Sequence, residues 1–149
     1  MKQVKILNWV LKIDQARTMN YYQKTSPYCP CLYCKNFSAA SKQFDTRITG
    51  IFNALGVDAA KPNHLSEFGE VGDGVRLYEG SYPFIGELIE GLSARNSEWS
   101  TINTATIENF TFAFNHELSF IDEEMPKPIL QLDFEARIPW VLSEEPEEN

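Results

Sequence analysis

The stretch from residue 130 to residue 138 alternates apolar and polar side chains more regularly than any other part of the chain. The apolar positions are Leu130, Leu132, Phe134, Ala136 and Ile138, and the polar positions are Gln131, Asp133, Glu135 and Arg137. Because neighbouring side chains of a strand point to opposite faces, this pattern predicts one buried face and one wet face. A wet face is typical of antiparallel sheets, since parallel sheets are covered on both sides.

The remaining patterns add further strands and one main helix. Strands are predicted over residues 1–13, 75–79, 82–89, 104–115 and 118–121, with Gly80-Ser81 as a hairpin turn. A helix is predicted up to residue 55, because apolar side chains recur at intervals of three and four. Its apolar face is Phe37, Ala40, Phe44, Ile48, Ile51 and Leu55.

Asn36 or Ser38 could cap the start of this helix, and Gly56 supplies the left-handed residue that commonly ends one. Residues 14–28, 57–74 and 91–101 are predicted as loops and connectors. The resulting fold class is α+β. It is an antiparallel sheet, open or curled into a sandwich, with one main helix packed on it.

Length and charge indicate one domain followed by a tail. The chain has 149 residues and a net charge of −8. Residues 143–149 carry four glutamates and no base, so the rest of the chain has an ordinary acidic surface. We expect a single globular domain over residues 1–142 and a disordered acidic tail over residues 143–149. No basic cluster suited to phosphate is present, so nucleic acid is not an expected partner.

The compartment follows from the apolar segments and the cysteines. The apolar residues near the start of the chain are too few and too interrupted for a signal peptide, and no later stretch could span a bilayer. Three cysteines within six residues do not make the disulfide framework of a secreted domain. A cytoplasmic protein without membrane association is therefore expected.

The cysteine turn, residues 29–34, holds every cysteine of the chain in the spacing C-x-C-x-x-C. Three soft ligands this close could hold zinc if a fourth ligand came from elsewhere. The candidate ligands are Cys29, Cys31, Cys34 and His64, with His116 or a water as alternatives for the fourth position.

Two other hypotheses explain the same residues. Cys31-Leu32-Tyr33-Cys34 before a helix resembles the thioredoxin arrangement, in which a helix N-terminus stabilises a thiolate. That arrangement belongs after a strand in a βαβ unit, whereas a loop is predicted before this one. Alternatively, the cysteines are small apolar residues that pack a tight turn against the helix. Metal, redox and packing roles all stay open.

The same region resembles a known group of proteins. The run Cys31-Leu32-Tyr33-Cys34-Lys35-Asn36-Phe37, followed by Gly56-Val57-Asp58-Ala59-Ala60-Lys61-Pro62, is similar to a group of small bacterial proteins of unknown function. They share C-x-x-C-x-N-[FY] before a helix and G-[IV]-D-x-x-K-P after it. The similarity covers residues 29–62. It implies a bacterial cytoplasmic protein and brings no activity with it.

Two functions from different classes follow. The preferred one is a non-enzymatic binding or interaction protein, for an unidentified protein or small-molecule partner, with the cysteine turn as a brace that holds zinc. The alternative is a small thiol-dependent enzyme that uses Cys31 or Cys34. Aromatic residues could line a ligand cavity, although ordinary core packing is favoured for them. They are Tyr78, Tyr82, Phe84, Phe110, Phe112 and Phe114.

Overall fold

The structure, a computed structural model, describes residues 1–25, 30–119 and 121–146. These residues form seven antiparallel strands in one sheet and three α-helices, which confirms the predicted α+β class. The strands are β1 (Lys2–Ile6), β2 (Trp9–Ile13), β3 (His64–Gly72), β4 (Val75–Glu90), β5 (Ala105–Ile107), β6 (Phe110–Asn115) and β7 (Ile129–Pro139). The helices are α1 (Gln15–Lys24), α2 (Leu32–Ser41) and α3 (Thr46–Leu55).

The sheet is built around β4, which is 16 residues long. The strand order is β1-β2-β4-β7-β6-β5, and β3 also pairs with β4. β7 lies along one edge of β4, from Val75 to Ile85. The other edge is shared, because β3 pairs with the first half of β4 and β2 with its last residues. β4 therefore joins the two ends of the sheet.

The hydrophobic core lies between the helices and one face of the sheet. The five apolar side chains that alternate along β7 from Leu130 to Ile138 are all buried on this face, as the alternation predicts. Phe37 of α2 stacks on Phe134 at a centroid distance of 5.5 Å, and Phe52 of α3 packs on Tyr82 at 4.9 Å. The aromatic residues considered for a ligand cavity are all at most 1% exposed. They form the core, as favoured from the sequence.

The opposite face of the sheet is wet only in part. Gln131 and Asp133 are buried, although the alternation assigns them to solvent. The connection between β6 and β7 crosses this face, and the Ser119 amide donates to Gln131 Oε1 at 2.9 Å. The prediction of a fully wet face is therefore wrong at these two positions. The loop contacts Gln131, and Asp133 accepts from the side chains of Gln131 and Asn115.

The helices differ from the prediction in number. The single predicted helix is divided into α2 and α3. Asp45 caps the start of α3, because its side chain accepts from the Arg47 amide at 2.9 Å. Residues 14–28, predicted as loop, contain α1, which Asp14 caps by accepting from the Arg17 amide. Gly56 ends α3 with φ 84°, as predicted. None of the described helices is long and apolar enough to cross a membrane.

The strands also differ in their turns. Residues 1–13 form the β1–β2 hairpin rather than one strand, with Leu7 at φ 53° in its turn. The predicted connector contains β3, which pairs with β4 through the Asp73-Gly74 turn. Gly80-Ser81 is not a turn, because both residues lie inside β4. Described residues 118, 119 and 121 are outside any strand.

The segment after β7 folds back on the body of the protein. Trp140 N donates to the Gly74 carbonyl at 2.9 Å. Its indole Nε1 donates to the Glu144 carbonyl at 2.7 Å. The tail predicted for residues 143–149 is described as far as Pro146, and its last three residues lie outside the described part of the chain.

Two glycines give a matched test of how tightly the sheet is packed. A Cβ atom on Gly80 would lie 2.5 Å from the His64 carbonyl oxygen and 2.7 Å from Phe134 Cζ, so Gly80→Ala should destabilise the protein by about 1–3 kcal/mol. A Cβ atom on Gly50, within α3, would meet no described atom of another element within 4 Å, so Gly50→Ala should stabilise it by about 0.5–1 kcal/mol. Urea unfolding measures both. Equal effects would contradict the close β3–β4 contact.

Candidate functional site

The sulfur of Cys31 lies at the N-terminus of α2. Cys31 is the N-cap residue, its Sγ accepts from the Cys34 amide at 3.5 Å, and its carbonyl accepts from the Lys35 amide at 3.0 Å. The caps predicted from the sequence, Asn36 and Ser38, lie further along the helix. Cys31 is exposed and Cys34 is half-buried one helical turn later. The positive end of the helix dipole therefore faces an accessible sulfur.

Asn36 fixes this end of α2 against the sheet. Its side chain is fully buried and accepts from the Val141 amide at 2.7 Å. It donates to the Pro139 carbonyl at 3.2 Å and to the Tyr78 hydroxyl at 3.4 Å. Burial is the main cause that raises the pKa of Tyr78 to about 12, so the phenol keeps its proton at neutral pH. That proton is donated to the Tyr33 carbonyl at 2.8 Å, beside the cysteines.

A groove runs along β3 beside the start of α2. It consists of two open clefts of about 690 and 530 Å³, which meet at Cys34 and Leu65 because both residues line both clefts. The larger cleft is also lined by Cys31, Tyr33, Glu67, Phe68, Glu70 and Arg76. The smaller cleft is also lined by Pro30, Lys35, Ser38, Lys42 and Pro62. Both cysteine side chains of the described structure thus border this groove.

The charge of Arg76, in the wall of the larger cleft, is already balanced. Its Nε lies 3.2 Å from Glu67 Oε2, as an ion pair without the alignment of a hydrogen bond. The guanidinium also lies over the rings of Tyr33 and Trp140, at 5.3 and 5.9 Å from their centroids. The side chains of Arg76 and Glu67 are only 13% and 10% exposed. They brace the wall of the cleft.

The structure brings together two of the four predicted zinc ligands. Cys31 and Cys34 share the start of α2, whereas Cys29 lies outside the described residues. His64 is in β3, and its Nε2 lies 3.2 Å from the hydroxyl of Ser66. Across residues 1–25, 30–119 and 121–146, no three His, Cys, Asp or Glu side chains are placed to hold a metal ion. The zinc set stays a prediction.

Strand geometry separates His64 from the two cysteines. Leu65 and Glu67 line the groove with Cys34, so they point to the helix side of β3. Because side chains alternate along a strand, His64 points to the opposite face. His116, the other histidine considered as a ligand, is exposed and lines a separate cleft near Arg95.

A polar cluster on that opposite face escaped the sequence prediction. Asp133 is 3% exposed and accepts from Gln131 Nε2 at 2.6 Å and from Asn115 Nδ2 at 3.0 Å. Burial raises the pKa of Asp133. Burial first, and then the charge of Glu135, raises the pKa of Glu79. The only nearby sequence signal was Gln131, two residues before Asp133 on the same face of β7, whose amide can satisfy a buried carboxyl group.

The residues of the groove wall were also missed. β3 was predicted as connector because Gly69 and Gly72 interrupt it, so Glu67 was not assigned to any site. Arg76 was placed on a strand without a partner. No apolar–polar alternation marks β3 in the sequence, because Glu67 lies on the same side of the strand as Leu65.

Comparisons with known proteins give no relative for this site. The sequence matches no protein-family model, and no curated protein sequence matches it. No solved structure matches the fold. The resemblance over residues 29–62 therefore stays a prediction, and function is inferred from the geometry of the groove and its cysteines.

Proposed function

We propose that the protein is a small thiol–disulfide exchange enzyme in which Cys31 is the nucleophile and Cys34 the resolving thiol. The observation that carries this proposal is the position of Cys31 Sγ, which caps α2 and accepts from the Cys34 amide at 3.5 Å. An amide donor and the positive helix end both favour the thiolate over the thiol. The exposed first cysteine and half-buried second cysteine suit these two roles.

The chemistry is a two-electron exchange. The Cys31 thiol loses its proton, and the thiolate attacks one sulfur of a partner disulfide, whose S–S bond breaks. The leaving partner thiolate takes a proton from water. Cys34 then loses its proton and attacks the sulfur of Cys31, which releases the second partner thiolate to be protonated. The partner disulfide gains two electrons and two protons, and Cys31 and Cys34 become a disulfide that an external dithiol reductant reduces.

The surrounding residues supply position rather than chemistry. Asn36 and the protonated Tyr78 hold the first turn of α2 through bonds to Pro139, Val141 and Tyr33. The two thiols therefore stay at the border of the groove. A partner segment in the groove would reach Cys31 without a rearrangement of the helix.

Alkylation tests the assignment of the two thiols. In the Cys34→Ser variant, iodoacetamide should label Cys31 with a pH midpoint clearly below the value of about 8.5 for an ordinary cysteine. In Cys31→Ser, fast labelling at neutral pH should be lost while the circular dichroism spectrum is unchanged. Peptide mapping by mass spectrometry assigns the labelled thiol and separates it from Cys29. A midpoint at or above about 8.5 for Cys31 would refute the nucleophile assignment.

The second candidate is the binding or interaction protein with a zinc-holding brace. The observation in its favour is that Cys31 and Cys34 lie one helical turn apart at the start of α2. Cys29 would be the third ligand. The fourth position would be open to water, since His64 lies on the opposite face of β3.

Elemental analysis and a chelator separate the two candidates. A zinc brace contributes its binding free energy to folding, so removal of the metal should lower the melting temperature, and the protein should contain one equivalent of zinc. The exchange enzyme should contain less than about a tenth of an equivalent and melt at the same temperature with or without chelator. Cys34→Ser is the matched control, because it removes one of the proposed ligands and should abolish any chelator effect.

A further inference from the structure

Among the described residues, no strand pairs with the edge of β3 that lies beside the groove. β3 pairs with β4 along its other edge, in regular register from His64 to Glu67. From Leu65 to Gly72, no described backbone group outside β4 bonds to this strand. Unpaired amides and carbonyls on a strand edge can pair with a further extended chain. β3 also lacks the lysines and prolines that commonly block such pairing.

This edge runs past the two thiols. Leu65 lines both clefts together with Cys34, and Glu67 lines the larger cleft together with Cys31 and Cys34. The register between β3 and β4 shifts after Glu67. The regular part of the edge therefore suits an extended segment of about four residues.

The groove has opposite charges at its two ends. Lys35 and Lys42 line the end near the start of β3, and both are exposed. Glu70 lines the other end and is exposed, while the positive charge of Arg76 is paired with Glu67. A segment antiparallel to β3, like every strand of this sheet, would place its N-terminal residues near Glu70 and its C-terminal residues near the lysines.

We infer that the substrate is an extended, disulfide-containing segment of a polypeptide, which adds to the open edge of β3 with a basic residue before its cysteine and an acidic residue after it. The inference rests on the proposed exchange activity and specifies its substrate class. The backbone of the segment pairs with β3, and its disulfide reaches Cys31 at the border of the groove.

The test uses four disulfides and the Cys34→Ser variant, which accumulates the mixed disulfide on Cys31. The first is a capped five-residue peptide with lysine first, glutamate last and a central cysteine that carries a 2-mercaptoethanol disulfide. The second is the same peptide with N-methylated backbone amides, and the third has lysine and glutamate exchanged. The fourth is 2-hydroxyethyl disulfide, which has no backbone and no charge. Mass spectrometry gives each rate constant.

The first peptide should react about tenfold faster than its N-methylated form, because pairing through one or two backbone hydrogen bonds is worth about a factor of ten. It should also react faster than the charge-exchanged peptide. In the adduct, amide hydrogen exchange over residues 65–67 should be slowed, with no slowing in the N-methylated adduct.

Two outcomes would overturn the inference and are distinct from a failure of the proposed function. Equal rates for the first peptide, its N-methylated form and 2-hydroxyethyl disulfide would refute pairing with the edge of β3. They would still be consistent with the exchange activity. A faster reaction of the charge-exchanged peptide would refute the antiparallel placement. If Cys31 reacts with none of the four disulfides, the exchange activity itself is refuted, and the substrate inference with it.

Discussion

Replacement of Phe134 by alanine should lower the free energy of unfolding by about 3–5 kcal/mol, the range for a buried aromatic side chain. The ring is 1% exposed and lies 5.4–5.5 Å, centroid to centroid, from the rings of Phe37, Tyr82 and Phe110. These neighbours belong to α2, β4 and β6. Removal of the ring therefore leaves a cavity between three elements that cannot all move to fill it.

Phe68 is the matched control for this prediction. It is also a phenylalanine on a strand of the same sheet, but it is 60% exposed. Phe68→Ala should change stability by no more than about 0.5 kcal/mol, as is usual for surface positions. Urea unfolding of both variants gives the comparison. If Phe134→Ala lowers the free energy of unfolding as little as Phe68→Ala, Phe134 does not lie on the buried face of β7.

Replacement of Asn36 by alanine should lower the free energy of unfolding by about 2–4 kcal/mol. Asn36 is fully buried, and its amide group accepts from Val141 and donates to Pro139 and Tyr78. Alanine removes all three of these hydrogen bonds, each of which contributes about 0.5–1.5 kcal/mol. Tyr78 loses less, because its hydroxyl still donates to Tyr33.

Asn53 supplies the control for Asn36. It is an exposed asparagine within α3, and only its backbone carbonyl accepts a described side-chain bond. Asn53→Ala should therefore leave stability unchanged or raise it slightly, since alanine is the better helix former. Amide hydrogen exchange at Trp140 and Val141 should accelerate in Asn36→Ala and stay unchanged in Asn53→Ala. Equal stability of the two variants would show that the hydrogen bonds of the Asn36 side chain do not contribute to the stability of the fold.

The sequence predicted best those elements whose own side chains carry the signal. The alternation of β7 is complete because one face meets the core along its whole length. Gly56 marks the end of α3 because only a left-handed residue fits there. α1 gave no such signal, since its only buried residues are Thr18 and Tyr22, and one of these is polar. Thr18 is buried because its hydroxyl oxygen accepts from the Ile85 amide. Local sequence patterns cannot predict a contact between residues so far apart in the chain.

The candidate site was predictable to the same extent. The placement of Cys31 and Cys34 at a helix N-terminus was expected, because a helix was predicted directly after them. The position of His64 was not, since the face on which a strand residue lies depends on the register of that strand. β3 was predicted as connector, and its register with β4 is set by pairing with residues that follow it in the chain.

The central position of β4 has a consequence for how the chain folds. β4 pairs with β2, which precedes it by more than sixty residues, and with β7, which begins about forty residues after it ends. Contacts between residues so distant in sequence slow folding, because the intervening chain must be closed into loops first. During synthesis, the apolar face of β4 is therefore complete long before its longest partner emerges. We expect this interval to be the period in which the nascent chain is most prone to aggregate.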